Sequence, residues 1–156
     1  MAVSSSISSA AGDLAASADL DFLGPLDGSV LAAGQNVNLR LTADTSSYLL
    51  DSDITAAGAL SVATAGAFGV SGDIVLTGTQ GLTLSGNTQW ADASSLSLVA
   101  PQGLTLAGAI DAADGTFSID ARQDITLVGN TAINVDTYRQ SGPGAWRQVG
   151  SSLPSF

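Results

Sequence analysis

The sequence predicts an all-β fold, a right-handed parallel β-helix with three short strands per coil of about 21–22 residues and about five coils. Three observations carry this reading. Apolar-polar-apolar triplets recur at a fixed long interval. Gly, Asn and Asp punctuate them. The residues that normally dress exposed helices are missing.

The triplets come first. One series runs Leu39-Arg40-Leu41, Leu60-Ser61-Val62, Leu82-Thr83-Leu84, Leu104-Thr105-Leu106 and Ile125-Thr126-Leu127, with first residues spaced by 21, 22, 22 and 21. A second runs Ile54, Ile74-Val75-Leu76, Leu96-Ser97-Leu98 and Phe117-Ser118-Ile119, spaced by 20, 22 and 21. A third, looser series runs Tyr48 to Leu50, Phe68 to Val70, Thr88 to Trp90, Ala109-Ile110 and Ile133 to Val135. Side chains alternate across a strand, so in Leu-Thr-Leu both leucines point one way and the threonine the other. One coil cannot bury its leucines alone; stacked coils ~4.8 Å apart share one core and pair their backbones. A β-sandwich also has short strands, but it would not repeat one triplet at a fixed long period.

The punctuation comes second. Gly58, Gly66, Gly72, Gly78, Gly81, Gly103, Gly108, Gly115 and the Gly-Asn pairs at 86–87 and 129–130 fall between triplets. They are read as corners, where positive φ is needed, rather than as ligand loops.

Composition comes third. Among 156 residues only 12% are charged, about half the usual share. Every acid is Asp, every base is Arg, and Glu, Lys, His and Cys are absent. Without Glu and Lys an α-rich surface is improbable. The net charge of −10 disfavours nucleic acid and anionic membranes and suits divalent cations. Without Cys there are no disulfides or thiol chemistry. No apolar run reaches 18 residues, so no transmembrane helix is expected. Met1 to Ala18 lacks the basic start and apolar run of a signal peptide.

The chain divides into three parts on this reading. Residues 1–27 form a Ser/Ala-rich lead-in or cap, 28–136 the β-helix, and 137–156 a C-terminal hairpin-like cap or linker. In the last part, Thr137 to Gln140 and Ala145 to Val149 flank Ser141-Gly142-Pro143-Gly144, as two strands flank a turn. Ser151 to Phe156 reads as a tail.

Asp53-Ile54-Thr55-Ala56-Ala57-Gly58-Ala59-Leu60-Ser61-Val62 and Gly103-Leu104-Thr105-Leu106-Ala107-Gly108 resemble the repeats of filamentous-haemagglutinin-like exoproteins, large bacterial adhesins exported by two-partner secretion. The resemblance covers roughly residues 28–136. It implies a right-handed β-helical shaft, a secreted or bacterial cell-surface location, and a role in adhesion or biofilm. On that reading the chain is a fragment or a short relative.

Candidate chemistry is sparse. Without His or Cys, histidine acid/base work, Ser-His triads and thiol nucleophiles are excluded. Asp111 with Asp114, or Arg122 with Asp120 and Asp124, are what a polysaccharide lyase or hydrolase would use, but four Arg and no Lys leave little to stabilise an oxyanion. No enzyme is expected and no cofactor, calcium aside. For calcium the candidates are Asp51, Asp53 and Asp73, near a corner that Asp92, Asp114 and Asp136 also approach. Stacked carboxylates repel, and an oxygen-seeking cation would relieve this. The competing reading is that Asp serves turns and points to water. Trp90 is the candidate glycan-stacking ring, packing in or beside the core being its alternative role. Trp146 and Tyr138 are read as covering the core.

The expected function is a structural module of an extracellular bacterial adhesin or surface fibre, a rigid rod able to self-associate. Expected partners are copies of itself, or host or cell-surface glycans or proteins, with no nucleic acid and no membrane insertion. The alternatives are a glycan-binding β-helix module and a polysaccharide-degrading enzyme.

Overall fold

In a computed structural model of the chain, the described residues are the strands Ala2–Ser4, Leu14–Ala16, Leu20–Leu23 and Leu31–Ala33, then residues 36–41, 48–50, 53–90 and 92–149. Side chains are described at 36–39, 50, 53–64, 66–90 and 92–149. These residues form an all-β, right-handed parallel solenoid of about four turns, against the five expected, with no helix among them.

Among the described residues every strand pairing is parallel, and the strands form three ladders. Ladder one stacks Val37–Leu41, the first half of Ala59–Val70, the first half of Gly81–Trp90, Leu104–Ala107, Ile125–Val128 and Trp146–Val149. Its register sets Leu60, Leu82, Leu104 and Ile125 in one inward column, and Leu39, Val62, Leu84, Leu106 and Leu127 in another. Ladder two stacks Ile54–Ala56, Asp73–Gly78, Ser95–Val99 and the later halves of Ile110–Asp120 and Ile133–Ser141. Ladder three aligns Tyr48, Phe68, Thr88, Ile110 and Ile133, the register of the third series.

Two alignments differ from the expected ones by two residues. Leu39 pairs with Val62 rather than Leu60, and Ile54 pairs with Leu76 rather than Ile74. A slip of two keeps every side chain on its face, so alternation alone cannot choose between these registers. In the fold Val37 and Leu39 are the buried pair of their strand.

The core is one continuous cluster, with Leu60, Leu76, Leu84, Leu96, Leu98, Leu104, Phe68 and Phe117 among its fully buried members. Fully burying one such side chain contributes about 1.5–3 kcal/mol relative to exposure. At corners, where ladder bonds lapse, side chains from the adjacent coil accept instead. Asn36 Oδ1 accepts from the Ala59 N–H at 2.7 Å, Asn87 Oδ1 from Ala109 at 3.0 Å, and Ser94 Oγ from Gly72 at 2.8 Å. These bonds satisfy donors that corner geometry would otherwise orphan. Gly108 marks one corner: its φ is +110°, and an added Cβ would strike the Gly86 backbone of the coil below.

The expected C-terminal hairpin does not form. Ile133–Ser141 pairs in parallel with Ile110–Asp120, and Trp146–Val149 in parallel with Ile125–Val128, so the segment continues the solenoid. Tyr138 stacks on Phe117 and Trp146 on Ile125, each 21 residues on. Aromatic and amide groups occupy the inward positions here in place of Leu and Ile. The ladders also begin before residue 28, because Leu20–Leu23 pairs with Val37–Leu41, and Leu14–Ala16 with Leu31–Ala33.

Candidate functional site

In ladder one each inward Leu pair brackets an outward hydroxyl. The register aligns Ser61, Thr83, Thr105 and Thr126 on four successive strands, followed by Arg147. Strand spacing puts these side chains ~4.8 Å apart in a straight column. No described residue hydrogen-bonds their hydroxyls. The column lies in an open trough of about 370 Å³, with Gln102, Gln123 and Asp124 along its margin and Gly81 and Gly103 lowering its wall.

The margin is self-paired. Gln123 Nε2 donates to Gln102 Oε1 at 3.0 Å, and Arg147 forms an ion pair with Asp124 on the adjacent coil. Both partners of that pair are well exposed, so it contributes under about 1 kcal/mol, but it neutralises the one acid at the trough. The trough therefore presents hydroxyls and amides with little net charge. The Ser/Thr face is legible in the triplets, whereas the margin pairs, 21 and 23 residues apart, arise from the stacking of coils.

Of the expected calcium residues, Asp53 and Asp73 are each engaged by the adjacent coil. Asp51 lies outside the described residues. Asp53 Oδ1 accepts the Val75 N–H at 2.8 Å, and Asp73 Oδ1 accepts the Ser95 hydroxyl at 2.7 Å. Each carboxylate thus bridges to the next coil. Asp92 accepts the Ser94 N–H at 2.9 Å, and hydrogen bonding from Ser94 holds its carboxyl below the usual range. Among the described residues, no group of three or more His, Cys, Asp or Glu is placed to hold a metal ion.

The acidic residues that could serve catalysis lie in two stretches, 111–114 and 120–124. Asp111, on ladder three, accepts from Asn134 Nδ2 at 2.8 Å. Asp114 is exposed in the interval between ladders three and two. Asp120 ends a ladder-two strand, Arg122 is exposed at the corner, and Asp124 pairs with Arg147 at the start of ladder one.

Trp90 is not a stacking platform. It is 6% exposed, packs in the core cluster, and donates its indole N–H to Ser94 O at 2.8 Å. Its position follows from ladder three, which points Val70, Trp90 and Ala112 inward.

The last coil forms a polar-edged plug. Tyr138 lies with its ring centroid 6.1 Å from Phe117 and 6.0 Å from Trp146. The Tyr138 hydroxyl and the Trp146 indole both donate to Gln140 Oε1, at 2.8 and 2.9 Å, while Gln140 Nε2 donates to Gly144 O at 2.8 Å. Burial pushes the Tyr138 phenol up to about 12, partly offset by a hydrogen bond from Trp146.

Compared with family models, curated proteins and solved structures, the chain matches none. The fold and its columns define the class, a right-handed parallel β-helical repeat protein. Its likeness to filamentous-haemagglutinin repeats rests on the repeat phrases alone.

Proposed function

We propose that this protein is a rigid structural module, a β-helical rod of a secreted or cell-surface bacterial adhesin or fibre. The observation that carries the reading is the unbroken stacking of Leu60, Leu82, Leu104 and Ile125, and of Leu84, Leu106 and Leu127, across the coils. Each rung ties to the next through a backbone ladder and a dry side-chain column, so bending the rod would have to break both together. The role is mechanical and not catalytic: Asp53, Asp73, Asp111 and Asp124 each bind a neighbouring coil. The partners are copies of the chain meeting side by side, or surface glycans and proteins, with neither nucleic acid nor membrane insertion.

Two measurements test this. Electron microscopy of the purified chain at high concentration should show rods or fibres built from copies of the chain; discrete short particles would refute the fibre module. Antibody labelling of intact producing cells should detect the protein outside. Signal only after lysis would refute the surface location and leave the rod standing.

A further inference from the structure

We propose that the trough on ladder one binds an uncharged linear polysaccharide lying along the rod axis. The lining hydroxyls of Ser61, Thr83, Thr105 and Thr126 come from four coils in register. Three strand spacings make that column ~14 Å long, enough to engage several sugar units of an extended chain. Each rung offers the same donor and acceptor, which suits a repeating polymer better than a compact molecule. The hydroxyls are not engaged by described residues, so binding sacrifices no internal bond.

Charge decides which polysaccharide. Asp124 is neutralised by Arg147, and no cation is among the described residues that line the trough. The chain's net charge of −10 repels an anionic polymer. A protein partner fits less well, since protein interfaces need buried apolar or aromatic anchors. The exposed large apolar side chains among the described residues, Val128 and Val149, lie outside the trough lining. With Trp90 in the core there is no described aromatic platform, so each contact is weak and affinity grows with the number of rungs engaged.

The inference rests on the fold and not on the cellular role proposed above. The test is native electrophoresis of the full chain through gels containing dextran, mixed-linkage β-glucan, hydroxyethylcellulose or alginate. We expect retardation in at least one neutral polysaccharide and none in alginate. The double variant Thr83→Val/Thr105→Val keeps the β-branched shape and should bind roughly tenfold or more weakly, since two hydroxyl hydrogen bonds are lost. Ser118→Val, on ladder two, should bind as the parent does. Circular dichroism checks that each variant is folded. If Thr83→Val/Thr105→Val unfolds, Thr105→Asn alone replaces it and should also weaken retardation. Absence of retardation in every neutral gel, retardation only in alginate, or retardation equal in all variants would overturn the proposal.

Discussion

Gly115 and Trp90 fit together so closely that the space of a Cβ on Gly115 is already filled by the indole Nε1 and Cδ1. Gly115 lies between the ladder-three and ladder-two segments of Ile110–Asp120, one coil beyond Trp90. Neither residue's role is visible alone: the indole is buried because the glycine leaves room, and its N–H is satisfied by Ser94 O. Gly115→Ala should therefore destabilise the fold by about 1–3 kcal/mol through overpacking. Urea denaturation followed by tryptophan fluorescence measures this. An unchanged midpoint would show that the ring can move aside.

Thr88 is 1% exposed between Phe68 and Ile110 in the ladder-three column, and its hydroxyl has no hydrogen-bond partner. An unpaired buried hydroxyl costs about 1–3 kcal/mol. Thr88→Val keeps the branched shape and removes that cost, so the variant should be more stable by ~1 kcal/mol or more. A lower denaturation midpoint for Thr88→Val would contradict this account.

Tyr138 makes alkaline stability a local property. Its phenol ionises at about 12 in the fold, against 10.0 when free. Below 10.0 the phenol is neutral in both states and its full contribution to stability is present. As pH rises from 10.0 to about 12 the unfolded chain releases its proton first, and that contribution is lost. Tyr138→Phe should remove this component of the pH dependence. The check is a comparison of denaturation midpoints for parent and variant across that window; parallel curves would argue against a shifted phenol.

Asp92 has the opposite sign. Ser94 stabilises its ionised form, so the contribution is present above the ordinary carboxyl value of 3.8 and fades as pH falls through the lowered one. Asp92→Asn should be less sensitive to acid over that range. Acid titration of the unfolding midpoint reads the difference, and identical acid limbs for parent and variant would remove Asp92 from the explanation.

Gln140 and Gln148 stand where earlier coils place Ile119 and Leu127. Replacing both with leucine would make the inward face of this coil apolar, like those before it. Gln140→Leu/Gln148→Leu should associate at concentrations where the parent does not, as an exposed apolar strand edge does. Sedimentation velocity distinguishes the two. A double variant that sediments like the parent would show that these amides do not keep the end from associating.

Much of this protein is legible in the chain itself. The Leu-Thr-Leu triplets at a near-constant interval dictate strands, a parallel stack and an inward apolar face, because a period of two within a long repeat has few other solutions. The third series is in its final register at Tyr48, Phe68, Thr88 and Ile133, while its fourth member aligns from Ile110 rather than Ala109. The hydroxyl column is equally present, since Thr83, Thr105 and Thr126 are the middle residues of the triplets. Four matters were decided only in three dimensions. Val37-Asn38-Leu39-Arg40-Leu41 alternates throughout, so two registers bury leucine equally well, and packing against Leu60 and Val62 chose between them. Tyr138 and Trp146 show no aliphatic triplet, and only the columns ending on Phe117 and Ile125 show that an aromatic ring fills an inward position there. Trp90 became core because Gly115 makes room for it on the next coil. Asp53 and Asp73 became rungs because the stacking sets a backbone donor and a hydroxyl donor, each 22 residues on, within hydrogen-bond distance of their carboxylates. Local alternation sets which face a side chain takes. Which neighbour it meets there is set by the stacking of coils, and that depends on shape and pairing across about 22 residues at once.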